Sequence, residues 1–387
     1  MTPETGNTPA KPAAWRPVYT ITPRIARLLM EIETARTEVD LTPLPPTVEA
    51  ELRRQARVRS THYSTRIEGN RLTLAEAEEV IQEQRTTFAG RERDVREVRN
   101  YWNALLRMEE WAETGRPLTE DLIRRLHALV EHGPKARPTP YRDGQNVIRD
   151  AASGAIVYLP PEARDVPAMM AALVRWVEGA IREGVPVPLV AGLAHYQFVT
   201  IHPYYDGNGR TARLLATFIL HRGGYGLHGF LSIEERHAQN LAAYYRSLAV
   251  HPHHNFYEGR ATADLTDWLE YFVATLADTF TAVRREAKRL IAAGAPVEPD
   301  PLRRLDHRAR IVLGLFARTD RIATPDVARA LGLSERMVRI LLRQWVQDGW
   351  LVTADPSRRK RAYELSAIYR QYIGGLSATS GSNRTEE

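Results

Sequence analysis

The 387-residue chain contains no cysteine, which excludes disulfides, thiolate metal sites and cysteine nucleophiles together. Lysine is nearly as scarce: of 53 basic residues only Lys11, Lys135, Lys288 and Lys360 are lysine, a bias attributable to genome composition. No Gly-Lys-Ser/Thr occurs, so a Walker-type phosphate loop is excluded and any phosphate is left to arginine and backbone. No stretch approaches roughly 18 apolar residues, and no charged start is followed by an apolar run. The expectation is a cytoplasmic protein with neither membrane span nor signal peptide. What is present is ordinary for a globular chain of two or three domains: 43% hydrophobic, 26% charged, formal net charge +6.

The densest chemistry lies in Ile201-His202-Pro203-Tyr204-Tyr205-Asp206-Gly207-Asn208-Gly209-Arg210-Thr211-Ala212-Arg213. Before it, Leu189, Leu193, Ala194 and Tyr196-Gln197-Phe198 read as a buried helix; after it, Leu214, Leu215, Phe218 and Ile219 form the stripe of another. The stretch is therefore a loop opening a helix N-terminus, where unpaired N–H groups and the helix dipole favour an anion. Gly207 and Gly209 leave the backbone free to turn its N–H groups inward. Arg210 and Arg213, one turn apart, are expected to point at the same anion. Asp206 suits a divalent metal such as Mg²⁺, which also takes phosphate oxygens, and His202 suits a general base near neutral pH. These residue types together point to phosphoryl or nucleotidyl transfer. A lone Gly-x-Gly turn with solvated arginines would not gather so many able groups in so short a run.

His202 to Arg213 resembles the signature loop of the Fic family, His-Pro-Phe-x-Asp/Glu-Gly-Asn-Gly-Arg-x-x-Arg, with Tyr204 where the family usually has Phe. Upstream, Ser64 to Glu68 followed by Gly69 resembles the inhibitory-helix motif Ser-x-x-x-Glu-Gly/Asn of Fic proteins that carry their regulator N-terminal to the catalytic domain. Alone, Glu68 would read as a solvated glutamate in a last helical turn. The resemblance implies that it pairs with Arg213 and withholds the cation needed by the γ-phosphate of ATP. Two β-prone runs, Tyr141 to Ile148 and Ala155 to Pro161, flank a polar turn and read as a hairpin. On pattern alone it is a hairpin packed on helices; Tyr158-Leu159-Pro160-Pro161 resembles the Fic flap, implying a strand edge that grips a target protein. Asn240, near Tyr244 and Tyr245, resembles the family position that helps hold the nucleoside, although Asn and Tyr are common on helix surfaces. His251-Pro252-His253-His254 lacks surrounding acidic ligands and reads as a solvated loop rather than a metal site.

The expected architecture is mainly α, a Fic-type helical bundle with a small hairpin and a C-terminal winged helix. Its parts are a flexible tail at 1–19, an N-terminal helical region at 20–110 with the inhibitory helix at about 48–70, and a catalytic core at 111–291 with the flap at about 141–161. A linker at 292–302, a winged-helix domain at 303–373 and a flexible tail at 374–387 complete it. Residues 231–248 and 305–318 each read as a single helix. Arg336, Arg339 and Arg343 lie opposite the apolar stripe Val338, Leu341, Leu342 and Trp345, and Arg358-Arg359-Lys360-Arg361 lies in the wing. That distribution suits DNA phosphates, although an arginine-rich protein shows arginine on any exposed face and winged helices also dock proteins.

What the resemblance implies is a protein adenylyltransferase moving AMP from Mg²⁺-ATP to a Ser, Thr or Tyr hydroxyl of a target protein docked on the flap. His202 would be the base and Asp206 would hold Mg²⁺. Gly207, Asn208, Gly209 and Arg210 would hold the phosphates, and Arg213 would be contested between ATP and Glu68. Two alternatives stay open at this point: removal of AMP with Glu68 positioning a water, and a DNA-binding regulator whose Fic portion senses nucleotide. A second copy of the chain is a further candidate partner.

Overall fold

The computed structural model describes residues 14–149, 153–292, 300–317, 319–355 and 361–373. Apolar residues recur at helical spacing through most of the chain, and nearly every such run becomes a helix. In order these are α1 (Pro23–Asp40), α2 (Pro46–Ile67), α3 (Leu74–Ile81), α4 (Glu92–Glu113) and α5 (Glu120–His132), then the strands β1 (Ile148–Arg149) and β2 (Ile156–Tyr158). There follow α6 (Val166–Arg182), α7 (Val187–Ile201), α8 (Asn208–Arg222), α9 (Glu234–Gln239), α10 (Leu241–Leu248) and α11 (Thr266–Ala292). Starts follow local chemistry. Thr73 caps α3 by accepting from the Glu76 N–H while Glu76 reaches back to the Thr73 N–H, and Thr119 caps α5.

The helices α7 and α8 are buried on nearly every side and pack on each other, with α6 against α7 and α4 against α8. Gly192 lets α11 close on α7: a Cβ there would lie 2.8 Å from the Phe272 ring, and Trp268 Nε1 donates to the Gly192 carbonyl at 2.8 Å. The loop between α7 and α8 is thus carried by the two most deeply buried helices, which fixes its ends.

Chain contacts divide the molecule into two compact units, Met1–Val39 with Ala56–Arg284, and Asp40–Gln55 with Arg285–Glu387. The three boundaries fall at the end of α1, inside α2 and inside α11, whereas the sequence placed the inhibitory helix wholly in the N-terminal region and the break at 292–302. The second unit holds α12 (Asp300–Arg303), α13 (His307–Leu313), β3 (Ile322–Ala323), α14 (Thr324–Leu331), α15 (Glu335–Gln347), β4 (Leu351–Asp355), β5 (Ala362–Leu365) and α16 (Ala367–Ile373). Gly332, at φ 67°, makes the turn between α14 and α15, and Ser334 caps α15. The three strands run antiparallel in the order β3-β5-β4 over a core that includes Val312, Val327, Val338, Leu342, Trp345 and Trp350.

Several expectations change. The expected tail to residue 19 is placed from residue 14 onward: Trp15 sits edge-on to Trp176 at 4.8 Å, and Val18 accepts from the Leu265 N–H at 2.8 Å. The single helix over 231–248 is two, broken at Asn240 (φ −133°, ψ 61°). The helix over 305–318 is α13 followed by a 3₁₀ turn at Gly314–Ala317, and β3 has no counterpart in the sequence reading. Residues 1–13 and 374–387, most of the expected linker, and Arg358, Arg359 and Lys360 lie outside the described residues. Among the described residues no helix is long and apolar enough to cross a membrane.

Candidate active site

The helix α7 ends where His202 takes the left-handed backbone, φ 51° and ψ 59°, a conformation that a non-glycine residue holds only when its surroundings impose it. Buried Arg142 imposes it here. Its Nε donates to the His202 carbonyl at 2.9 Å and its backbone N–H donates to the Pro203 carbonyl at 2.9 Å. His202 Nδ1 meets the Val199 carbonyl at 3.3 Å. A carbonyl only accepts, so Nδ1 carries the proton and the Nε2 lone pair is left available. The ring is half-buried, and its packed surroundings push its pKa down to about 4, which keeps the imidazole neutral at physiological pH.

Asn208 closes the loop that follows: its Oδ1 accepts from the Tyr204 N–H at 3.0 Å and its Nδ2 donates to the Tyr204 carbonyl at 2.8 Å. Its amide is spent on the loop's own backbone, so its side chain shapes the cradle instead of reaching into it. Gly207, at φ 73°, opens α8, whose first bond runs from the Thr211 N–H to the Gly207 carbonyl. The N–H groups of Asn208, Gly209 and Arg210 are the helix's unpaired donors. Tyr204 stacks on His127 with ring centroids 3.6 Å apart. His127 Nε2 donates to the Asp206 carbonyl at 2.9 Å while Nδ1 accepts from Thr139 at 3.0 Å, and burial pushes this histidine down to about 4 as well.

Ser64 and Glu68 both meet Arg213. Its Nε donates to Ser64 Oγ at 2.8 Å, and its Nη2 donates to the Ser64 carbonyl and to Glu68 Oε1, each at 2.8 Å. Burial is the largest influence and works against the arginine's charge, but Glu68 together with Tyr244 and Tyr101 more than offsets it, so the Arg213 pKa stands above its ordinary value. Glu68 also lies directly over Gly209, where a Cβ would collide with its carboxylate. A carboxylate of the chain itself therefore lies against the first turn of α8, bound to Arg213.

Arg210 is held elsewhere. Its Nη2 lies 2.8 Å from Glu131 Oε1 and 3.3 Å from Asp206 Oδ1, and its Nη1 lies 3.8 Å from Glu97 Oε1. The expectation that both arginines face one anion is corrected: each buried guanidinium is neutralised where it lies, by its own carboxylates. Asp206 accepts from the Gly207 N–H at 2.7 Å yet keeps its side chain 64% exposed.

The Fic/DOC family matches residues 117–220, from just before α5 to near the end of α8. Over those residues the chain is similar to Fic domains. A protein adenylyltransferase Fic of Nematostella vectensis is 28% identical over 179 residues, covering 44% of this chain and 39% of that protein, so the chain spans about two fifths of that relative's length. Among solved structures, a Fic family protein from Desulfovibrio desulfuricans G20 is 28% identical with a TM-score of 0.56, covering 91% of this chain and 99% of that one. A Fic domain containing signaling protein from Bacteroides thetaiotaomicron VPI-5482 is 26% identical with a TM-score of 0.58, covering 70% of this chain and 99% of that one.

Beside the Fic loop stands the expected hairpin, with β1 antiparallel to β2. It is tied to the loop at its roots: Tyr158 donates to the Thr200 carbonyl at 2.7 Å, Asn146 to the Tyr204 carbonyl at 3.1 Å, and the Gly144 N–H to the Tyr205 hydroxyl at 2.8 Å. Arg142 adds bonds to the Gly144 and Pro161 carbonyls, so one guanidinium joins both roots of the hairpin to His202. Ile156 and Val157 remain exposed. The histidine run, read as a solvated loop, braces this hairpin: His254 Nδ1 donates to the Val157 carbonyl at 2.8 Å, and the Leu159 N–H donates to the His254 carbonyl at 2.8 Å. No group of three His, Asp or Glu side chains with metal-binding geometry occurs among the described residues.

Asn240 makes no hydrogen bond to the Fic loop among the described residues. It caps α10, accepting from the Ala243 N–H at 3.2 Å, and lines a cleft of about 590 Å³ with Arg236, Asp267, Glu270 and Tyr271. The residues of this segment that lie near the Glu68–Arg213 contact are Tyr244, whose hydroxyl bonds His195 at 3.1 Å and which interacts electrostatically with Arg213, and Tyr245, which donates to the Ile67 carbonyl at 3.4 Å. His127, Glu131 and Arg142 were not singled out from the sequence. The available signal for Glu131 was its place in the last turn of α5, where the helix dipole disfavours an anion unless a cation is near.

Proposed function

We propose that this chain is a protein adenylyltransferase, transferring AMP from ATP to a Ser, Thr or Tyr hydroxyl of a target protein and held at rest by Glu68. The observation that carries the reading is the Glu68 carboxylate on the helix cradle, 2.8 Å from Arg213. A carboxylate bound to a buried arginine and lying against the first turn of a helix stands where a phosphate would. Beside it, the neutral His202 offers Nε2 as a base.

In this reading Glu68 withdraws, and Arg213 with the α8 N–H groups holds the phosphates of ATP. The target hydroxyl gives its proton to His202 Nε2 as its oxygen bonds to the α-phosphorus. The bond from that phosphorus to the α–β bridging oxygen breaks, and pyrophosphate leaves with the electron pair. Arg213 and the helix N-terminus stabilise the charge that develops. The exposed carboxylate of Asp206 fits Mg²⁺, which takes one or two carboxylates together with substrate phosphates. When bound, Mg²⁺ would offset phosphate charge. The exposed residues of β2 give an extended target segment a strand to align with.

The test uses ATP labelled at the α-phosphate, a cell lysate, and wild-type, Glu68→Gly and Glu68→Gly/His202→Ala proteins. Glu68→Gly is expected to label targets at least about tenfold above wild type, the effect of removing roughly 1.4 kcal/mol of inhibition. The double variant should lose about 10²- to 10⁴-fold, the usual contribution of a general base, while still binding ATP. Labelling that survives the loss of His202 sinks the base assignment, and no gain on removing Glu68 sinks the inhibition. Removal of AMP by the same site is the competing reading, distinguished by loss of label from a pre-modified target in wild type.

DNA binding is a separate proposal for the second unit, supported by Arg336, Arg339 and Arg343 on the exposed face of α15. Affinity that falls steeply with salt would support it.

A further inference from the structure

Beneath the Fic loop, three carboxylates and two arginines are brought together from four parts of the chain. Arg210, 2% exposed at its side chain, faces Glu131 at 2.8 Å, Asp206 at 3.3 Å and Glu97 at 3.8 Å. Arg93 pairs with Glu97 at 2.8 Å and reaches Asp206 Oδ2 at 3.8 Å. Of the three acids only Asp206 is turned outward, at 64% side-chain exposure against 17% for Glu131 and 10% for Glu97. Glu131 lies against the Cα of Gly207, where any side chain would collide with its carboxylate. One turn earlier on α5, His127 holds the Asp206 carbonyl.

Asp206 holds a cation more readily the less of its charge is taken by the arginine four residues on. Arg210 Nη2 is shared by two anions: it donates to Asp206 Oδ1 at 3.3 Å and lies closer, at 2.8 Å, to Glu131. We propose that Glu131 is a positioning residue: by taking the charge of Arg210 from below, it keeps the Asp206 carboxylate available to a divalent cation. The contact between Glu131 Oε1 and Arg210 is an ion pair without hydrogen-bond alignment, and Arg210 Nε has no hydrogen-bond partner among the described residues. The guanidinium therefore has room to tighten its existing 3.3 Å bond to Asp206 if Glu131 loses its charge. Two residues one turn apart on the same face of α5 then act on one residue, His127 on the backbone of Asp206 and Glu131, through Arg210, on its side chain.

This inference rests on the adenylyltransferase reading, and its test keeps the two separable. Glu68→Gly protein serves as parent, with Mn²⁺ as a spectroscopic probe of the divalent site and ATP binding measured by calorimetry in EDTA and in Mg²⁺. Glu131→Gln is expected to weaken Mn²⁺ binding to the ATP complex at least about tenfold, the effect of roughly one lost charge contact. ATP affinity in EDTA should change less than about twofold, because no ATP contact is removed. Adding Arg210→Gln to Glu131→Gln should restore most of the Mn²⁺ affinity, which general damage to the loop would not do. Unchanged Mn²⁺ binding in Glu131→Gln, or no recovery in the double variant, overturns the role of Glu131. If Glu131→Gln does not fold, Glu131→Asp tests the same point: a shortened carboxylate should keep most of the Mn²⁺ affinity, and its loss would count against the proposal. A parent that fails to transfer AMP while Glu131→Gln still shifts Mn²⁺ binding would instead overturn the proposed reaction.

Discussion

Tyr204 carries one atom more than its surroundings use. Its ring is buried, stacked on His127, and its hydroxyl has no hydrogen-bond partner among the described residues; burial raises its pKa. A buried hydroxyl left unpaired costs about 1–3 kcal/mol, and replacing it with the same ring lacking the oxygen removes that cost. Tyr204→Phe is therefore expected to stabilise the Fic domain by about 1 kcal/mol, a rise of roughly 2–4 °C in its melting transition. Calorimetry checks it, and a fall in melting temperature would mean that the hydroxyl is satisfied in solution. AMP transfer should not change, because the loop backbone is fixed by Asn208 and His127 through groups that the substitution leaves alone.

At the scale of elements, α2 is, in the proposed reading, what separates the resting site from an open one. Its second half is held to the Fic core by Arg57 with Glu109 at 2.6 Å, by Ser64 with Arg213, and by Ser60, whose hydroxyl donates to Glu234 Oε2 at 2.5 Å. Glu234 is fully buried, also accepts from Tyr101 at 3.2 Å, and has its pKa raised by that burial. Ser60→Ala would leave this carboxylate one donor short, at a cost of about 1.5–3 kcal/mol, and the loss falls on the docking of α2. Undocked α2 is the state in which Glu68 is off Arg213, so target labelling should rise several-fold by population shift. In a Glu68→Gly background the same change should do nothing to labelling; a rise or fall there would mean that Ser60 acts on catalysis directly. The Fic loop was readable in the sequence because its groups are contiguous, and Ser64 with Glu68 because they keep a fixed spacing. His127 lies 79 positions before its partner Asp206 and looks like any histidine on an amphipathic helix, so only folding reveals it. The break at Asn240 was hidden by apolar spacing that runs unbroken across it, although Asn is a favoured N-cap and offered the one available hint.

For the whole molecule, the distribution of histidine sets how acid acts. The unit formed by Met1–Val39 and Ala56–Arg284 holds every histidine except His307. Burial pushes His62 and His127 down to about 4, His237 to about 3, and His195 well below its ordinary value. Each is neutral when folded and free to protonate near 6.5 when unfolded, so below that pH the unfolded state binds more protons and stability falls as pH falls. The loss begins near pH 6.5 and continues down to the folded pKa, through about pH 4 for His127, with a slope of up to about 1.4 kcal/mol per pH unit for each such group. Above pH 6.5 these groups contribute no slope. The unit of Asp40–Gln55 and Arg285–Glu387 lacks this set of histidines. Calorimetry between pH 7.5 and 5 should therefore resolve the unfolding of the Fic-bearing unit moving to lower temperature while the other transition moves much less. Equal shifts in both would mean that carboxylates, not these imidazoles, govern the acid response, and a pH-independent Fic transition would mean that the histidines reach water in the folded state.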